Sequence, residues 1–177
     1  YNNLLPQPIQ KLISHFQKLP GIGPRQATKF ALRLIKMPEG ELKNMAQDVA
    51  NLRSLVGECK ECFMLFDRPT GNSVSLCQFC RDDKRDTSKI CVVANDNDAL
   101  TIEKTKTYEG LYHILGGQIS LLEKEENRNL NLLALKNRIG KRPPASAEVI
   151  LALNATTEGQ ATALYLEKFL ASAGVKI

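Results

Sequence analysis

Cys59-Lys60-Glu61-Cys62 and Cys77-Gln78-Phe79-Cys80, with fourteen residues between the pairs, decide how this chain is read. Each pair can set two thiolates on one tight knuckle, and the intervening segment is long enough to fold back and complete a four-sulfur tetrahedral site. Two disulfides, or a redox Cys-x-x-Cys, are the alternatives. A redox motif wants one pair at a helix start after a strand, whereas these pairs flank a turn-rich segment, Asp67-Arg68-Pro69-Thr70-Gly71-Asn72. The spacing therefore favours one structural Zn²⁺ held by Cys59, Cys62, Cys77 and Cys80, saturated by thiolates and without an open position for catalysis. Cys91, inside the apolar run Ile90-Cys91-Val92-Val93, reads instead as a small buried hydrophobe.

On the amino-terminal side, apolar residues recur at helical spacing: Ile9, Leu12, Ile13 and Phe16, then Ala27, Phe30, Ala31 and Leu34, then Leu42, Met45, Val49 and Leu52. Breaks at Leu19-Pro20-Gly21-Ile22-Gly23-Pro24 and Met37-Pro38-Glu39-Gly40 divide the stretch into three helices. On the carboxyl side the pattern alternates. Strands are expected over 90–94, 111–115, 149–153 and 175–177, with helices over 98–106, 130–139 and 158–173, as in a small parallel sheet covered on both faces. The fold class is thus α+β in three modules: a helical region over 1–57, a four-cysteine module over 58–88 and an α/β domain over 89–177. Residues 58–88 contain too few apolar side chains to hold together without a metal. Mobile loops are expected over 123–129 and 140–146.

At 177 residues and 43% hydrophobic content, the chain can bury a real core. Its apolar runs are too short to span a membrane, and Tyr1-Asn2-Asn3-Leu4-Leu5-Pro6 does not resemble a secretory signal, so a soluble, cytoplasmic protein with reduced cysteines is expected. The start at Tyr1 and the strand-like end at Ile177 suggest that sequence is missing from both ends.

Net charge is +5, and all of the excess lies in residues 1–57, which hold eight Lys or Arg against three Asp or Glu. That excess coincides with the hairpin. Gly21 and Gly23 allow a sharp turn and close approach of another backbone, Pro24 suits the first position of the next helix, and Arg25 and Lys29 lie one turn apart beside that helix's free NH groups. This is a helix-hairpin-helix signature for sequence-independent DNA binding through phosphates; a tight connection that merely packs is the alternative. At the carboxyl edge of the sheet, Asp96, Asp98 and Glu158 could ligate Mg²⁺, although capping of the helices that follow explains them without a metal. His15 and His113 read as structural, and no nucleotide-binding Gly-rich loop is present.

The succession of hairpin, four-cysteine module and Ile90-Cys91-Val92-Val93 resembles the bacterial RecR family of recombination mediators. The resemblance continues through Tyr112-His113-Ile114-Leu115-Gly116-Gly117-Gln118-Ile119-Ser120 and Glu148-Val149-Ile150-Leu151-Ala152-Leu153-Asn154-Ala155-Thr156-Thr157-Glu158-Gly159-Gln160-Ala161-Thr162, covering nearly the whole chain. It implies a Toprim domain from residue 89 onward. It also implies a non-catalytic role in DNA repair: with RecO, and in some settings RecF, helping RecA replace single-strand-binding protein on gapped DNA, as a homodimer or ring-like homotetramer. By the same resemblance Arg25 and Lys29 match the DNA-contacting pair, the four cysteines match the zinc ligands, and Glu158 falls where acidic residues are linked to partner binding. Three features depart from the family pattern. Ala94 stands where a glutamate is usual, residues 121–126 lack the usual glycine and proline loop, and the family continues past Ile177 with a segment used in subunit assembly. The alanine counts against the other reading, a Mg²⁺-dependent Toprim nuclease or nicking enzyme.

Overall fold

The structure is a computed structural model that describes residues 4–68, 75–119, 130–141 and 147–177. Most of the turn-rich segment at 67–72, the expected mobile loop 123–129, the divergent stretch 121–126 and residues 142–146 of the other expected mobile loop lie outside those residues, whereas Gly140, expected in that loop, ends a helix. The chain divides into two compact units, Tyr1–Arg53 and Ser54–Ile177.

In the first unit, α1 (Gln7–Phe16) and α2 (Pro24–Ile35) are joined by the hairpin and followed by α3 (Glu39–Leu55). Proline occupies the opening turn of both α1 and α2, where a missing NH costs nothing. The two helices meet over Ile13, Ala27 and Ala31, with Leu5, Ile9, Leu12, Phe16 and Ile22 around them. The alanines let the α2 backbone approach closely, and Phe16 meets Phe30 edge-on at 5.7 Å. No side chain of α3 is buried.

The second unit begins with a short antiparallel hairpin, β1 (Val56–Glu58) and β2 (Leu65–Asp67), and a single helical turn, α4 (Gln78–Arg81). Then come β3 (Asp86–Val93), α5 (Asp96–Glu103), β4 (Gly110–Ile114), α6 (Leu132–Gly140), β5 (Glu148–Leu151), α7 (Thr157–Leu170) and a 3₁₀ turn, Ala171–Ala173. The sheet is parallel with strand order β4-β3-β5. The element types match the alternating pattern, with ends displaced by a few residues. Residues 175–177 are reduced to a single bridge, Glu148 to Lys176, rather than a full strand.

Alternation along β3 separates two cores. Ile90 and Val92 face one side and pack with Val149, Leu115, Leu132, Leu135, Ile139, Leu166 and Leu170. Cys91 and Val93 face the other, beside Tyr112 and Ile114, and the partners there are α5 and the cysteine module: Cys59, Cys62, Met64, Cys77, Phe79 and Ala99. The module's scarcity of apolar residues is thereby met by borrowing a face of the sheet. The Ile114 NH donates to the Cys62 carbonyl at 2.8 Å, so backbone pairing joins knuckle and strand as well.

Both helices at the carboxyl edge have caps other than the expected carboxylates. The Asn95 side chain accepts from the Asp98 NH, and Thr156 accepts from the Gly159 NH. Asp96, Asp98 and Glu158 lie one to three residues further on, in the first turns, where their charge complements the helix dipole. A cap sits outside the first helical residue, and α5 begins two residues, α7 one residue, earlier than periodicity indicated. Gly159 is required by packing: a Cβ there would lie 2.0 Å from the Asn154 carbonyl oxygen, so α7 can rest on the chain leaving β5 only without a side chain.

Candidate metal centre and nucleic-acid interface

The first cysteine pair sits on a knuckle at the end of β1. The Cys59 NH donates to the Met64 carbonyl at 2.9 Å, and the Phe63 NH donates back to the Cys59 carbonyl at 2.9 Å. Closing that loop puts Phe63 in the left-handed region at φ 64°, an uncommon state for a phenylalanine. Its ring is held edge-on against His113 at 5.5 Å, which offsets part of that cost. The second pair uses a helix start: Cys77 precedes the first residue of α4, and Cys80 lies one turn on. The Arg81 NH bonds the Cys77 carbonyl at 3.2 Å.

These two turns bring the four sulfurs within 4.8 Å of one another. Tetrahedral zinc at about 2.3 Å from each sulfur sets sulfur–sulfur edges of about 3.8 Å, so the cluster fits such an ion. The Cys62 and Cys77 sulfurs are 3.4 Å apart, well beyond a covalent S–S bond, and all five cysteines are free thiols. Cys59, Cys62, Cys77 and Cys80 would hold the ion, which would act as a cross-link between the two turns. Cys91 is apart from them in β3, 2% exposed, and burial pushes its thiol up to about 11. His113 is fully buried, its Nε2 lies 3.0 Å from the Asn131 carbonyl, and burial lowers its pKa to about 4.

The acidic residues at the sheet edge do not converge. Among the described residues the cysteine cluster is the one group of three or more potential ligands close enough to share a metal. Asp96 is otherwise engaged: its Oδ1 accepts the Leu65 NH at 2.7 Å, clamping β2 to the start of α5. Glu158 is exposed at the start of α7, and Ala94, 3% exposed, offers no carboxylate.

In the helical unit, Gly21 adopts φ +76°, a left-handed turn that strains any residue with a side chain, and Gly23 precedes α2 with φ −79° and ψ 170°. A Cβ at either glycine would meet nothing within 4 Å, so the backbone of the turn is open to an outside molecule. Arg25 and Lys29 are exposed on α2. Sequence reasoning did not single out Arg138 or the caps Asn95 and Thr156. The caps carry a local signal, a polar residue just before an apolar helical run, whereas Arg138 acts through a contact that nothing nearby in the chain announces.

The helix-hairpin-helix model of RecR matches residues 9–52, and a Toprim domain model matches residues 88–177. The chain is 42% identical over 164 residues to the Recombination protein RecR of Synechococcus elongatus, an alignment covering 93% of this chain and 78% of that protein. This chain belongs to the RecR family. The RecR of Thermosynechococcus vestitus is also 42% identical, over 93% of this chain and 77% of its own length. That of Synechocystis sp. is 39% identical over 92% of this chain and 67% of its own. The RecR architecture accounts for the order of parts: helical hairpin, four-cysteine cluster, parallel sheet. Among the described residues no helix is long and apolar enough to cross a membrane.

Proposed function

We propose that this RecR-family chain is a non-catalytic, DNA-binding recombination mediator that works with RecO, and in some settings RecF, to help load RecA on gapped DNA covered by single-strand-binding protein. The observation that carries the DNA-binding part is the hairpin itself: the positive excess of the sequence surrounds a turn whose two glycines face open space. Gly21 needs its glycine for backbone conformation, but Gly23 does not. A glycine that the chain's own fold does not demand is what close approach of a phosphate backbone would require. Arg25 and Lys29 then supply charge to phosphates and read no bases, so binding is indifferent to sequence.

The metal in this reading is Zn²⁺, which four thiolates suit better than a hard cation, and its role is structural. Such a site belongs to a reducing compartment, consistent with work in the cytoplasm. Assembly as a homodimer or ring-like homotetramer is supported by α3: Leu42, Met45, Val49 and Leu52 recur at alternating three- and four-residue steps and are 36–61% exposed. A solution mass above that of the monomer is expected. Glu158, exposed at the end of the sheet, is assigned to a protein partner.

The test is a double substitution, Arg25→Ala with Lys29→Ala, assayed on single-stranded and gapped DNA of unrelated sequences across a salt series. Affinity should fall uniformly across sequences, and the slope of log affinity against log salt should shrink by about 2. An unchanged slope would remove the hairpin as the DNA-contacting element.

A further inference from the structure

α6 carries a guanidinium to the cysteine cluster. Arg138 is 4% exposed and lies 58 residues from Cys80 in sequence, yet its Nη2 donates to the Cys80 sulfur at 3.3 Å. Its Nη1 donates to the Tyr112 carbonyl of β4 at 2.6 Å, and its Nε stands 3.8 Å from Glu61 Oε2. Glu61 belongs to the first cysteine pair and also meets Lys141 at 3.3 Å.

A buried cation is unfavourable unless an opposite charge and hydrogen-bond acceptors replace the water it loses. Glu61 is a weak counter-ion for this purpose, being 38% exposed, at the edge of pairing distance and shared with Lys141. The sulfur cluster is the stronger one. A divalent ion with four thiolates retains a net negative charge of about two, and it lies in a largely buried site where that charge is poorly screened. Cys80 is also the one ligand of the four that is not fully buried, so chelators and electrophiles reach the site there first.

We infer that Arg138 is a positioning residue for the metal centre: its planar fork holds the Cys80 sulfur in the coordination set, neutralises part of the cluster's charge and ties the cluster to β4 through the Tyr112 carbonyl. Arginine suits this place better than lysine because two acceptors in different directions are met by one rigid group. The inference rests on the reading of the four cysteines as an occupied metal site.

The full chain, loaded with zinc, is compared with Arg138→Met and Arg138→Lys in three measurements. These are competition for zinc with a chromogenic chelator, alkylation of each cysteine followed by mass spectrometry, and thermal midpoints of loaded and stripped protein. The methionine variant should bind zinc about 10–100-fold more weakly. Its Cys80 should be alkylated ahead of the other three ligands, and the gap between loaded and stripped midpoints should narrow. The lysine variant, which keeps the charge without the fork, should fall between wild type and Arg138→Met, and it carries the test if the methionine variant does not fold. Equal lowering of both midpoints, with zinc affinity and Cys80 alkylation unchanged, would show that Arg138 only packs α6 on β4 and would overturn the inference. Wild-type protein that takes up no divalent metal would overturn the metal reading and this role together.

Discussion

The two units are built on opposite plans. In the helical unit the buried centre is Ile13, Ala27 and Ala31, and α3 displays its apolar residues. In the sheet unit two cores lie on the two faces of β3, and one of them extends into the cysteine cluster. A region that buries little and exposes apolar and basic groups has surface available for binding, whereas one with two filled cores has most of its apolar side chains committed to folding. Changes in the sheet unit should therefore act on folding, and changes in the hairpin on binding.

Metal removal should have the largest effect. Because the cluster and the sheet share one core, stripping the proposed metal should cost about 4 kcal/mol or more and lower the thermal midpoint by about 10 °C, with lost hydrogen-exchange protection in β3 and β4. Protection lost from the cysteine module but kept in those strands would show two independent cores. Gly159→Ala comes next, with a destabilisation of about 3 kcal/mol in denaturant titration, because the clash is with backbone that cannot step aside. A wild-type-like midpoint there would mean that the carboxyl edge is softer than its packing indicates.

Acid should weaken the sheet unit through His113. Its folded pKa, about 4, lies below its ordinary 6.5, so between these values the unfolded chain binds a proton that the folded one refuses. Stability present at neutral pH is lost as pH falls through that window, by roughly 3 kcal/mol at most. Comparison with His113→Gln at each pH isolates this contribution from acid release of the metal; identical pH profiles would remove it. The smallest effect on folding is expected for Gly23→Ser. Serine is a good residue before a helix and has room there, so the thermal midpoint should stay the same or rise slightly while DNA affinity falls. A variant that keeps full affinity would end the argument that Gly23 is held open for an outside backbone.

Much of this was legible in the chain because it depends on neighbours. Cysteine spacing announced the four-sulfur cluster, the period of apolar residues announced helices and strands, and glycine and proline announced the hairpin. Each of these patterns is enforced by geometry spanning a few residues. The carboxyl-edge acids show where that reasoning stopped: Asp96, Asp98 and Glu158 fall at the expected edge, but whether they share a site depends on where two separate helices start. Asp96 instead clamps Leu65, 31 residues earlier.

From the sequence came the kinds of elements, the four cysteines that cluster and the basic hairpin. Tertiary structure decided that the cysteine module completes one face of the sheet, that a carboxylate of α5 holds β2, and that Arg138 reaches Cys80 across 58 residues. The physical reason is range. Knuckles, caps and helical faces follow from local backbone geometry, but a buried guanidinium finds its sulfur only after strand register and packing have brought α6, which packs in the core on one face of the sheet, within reach of the cysteine cluster on the other.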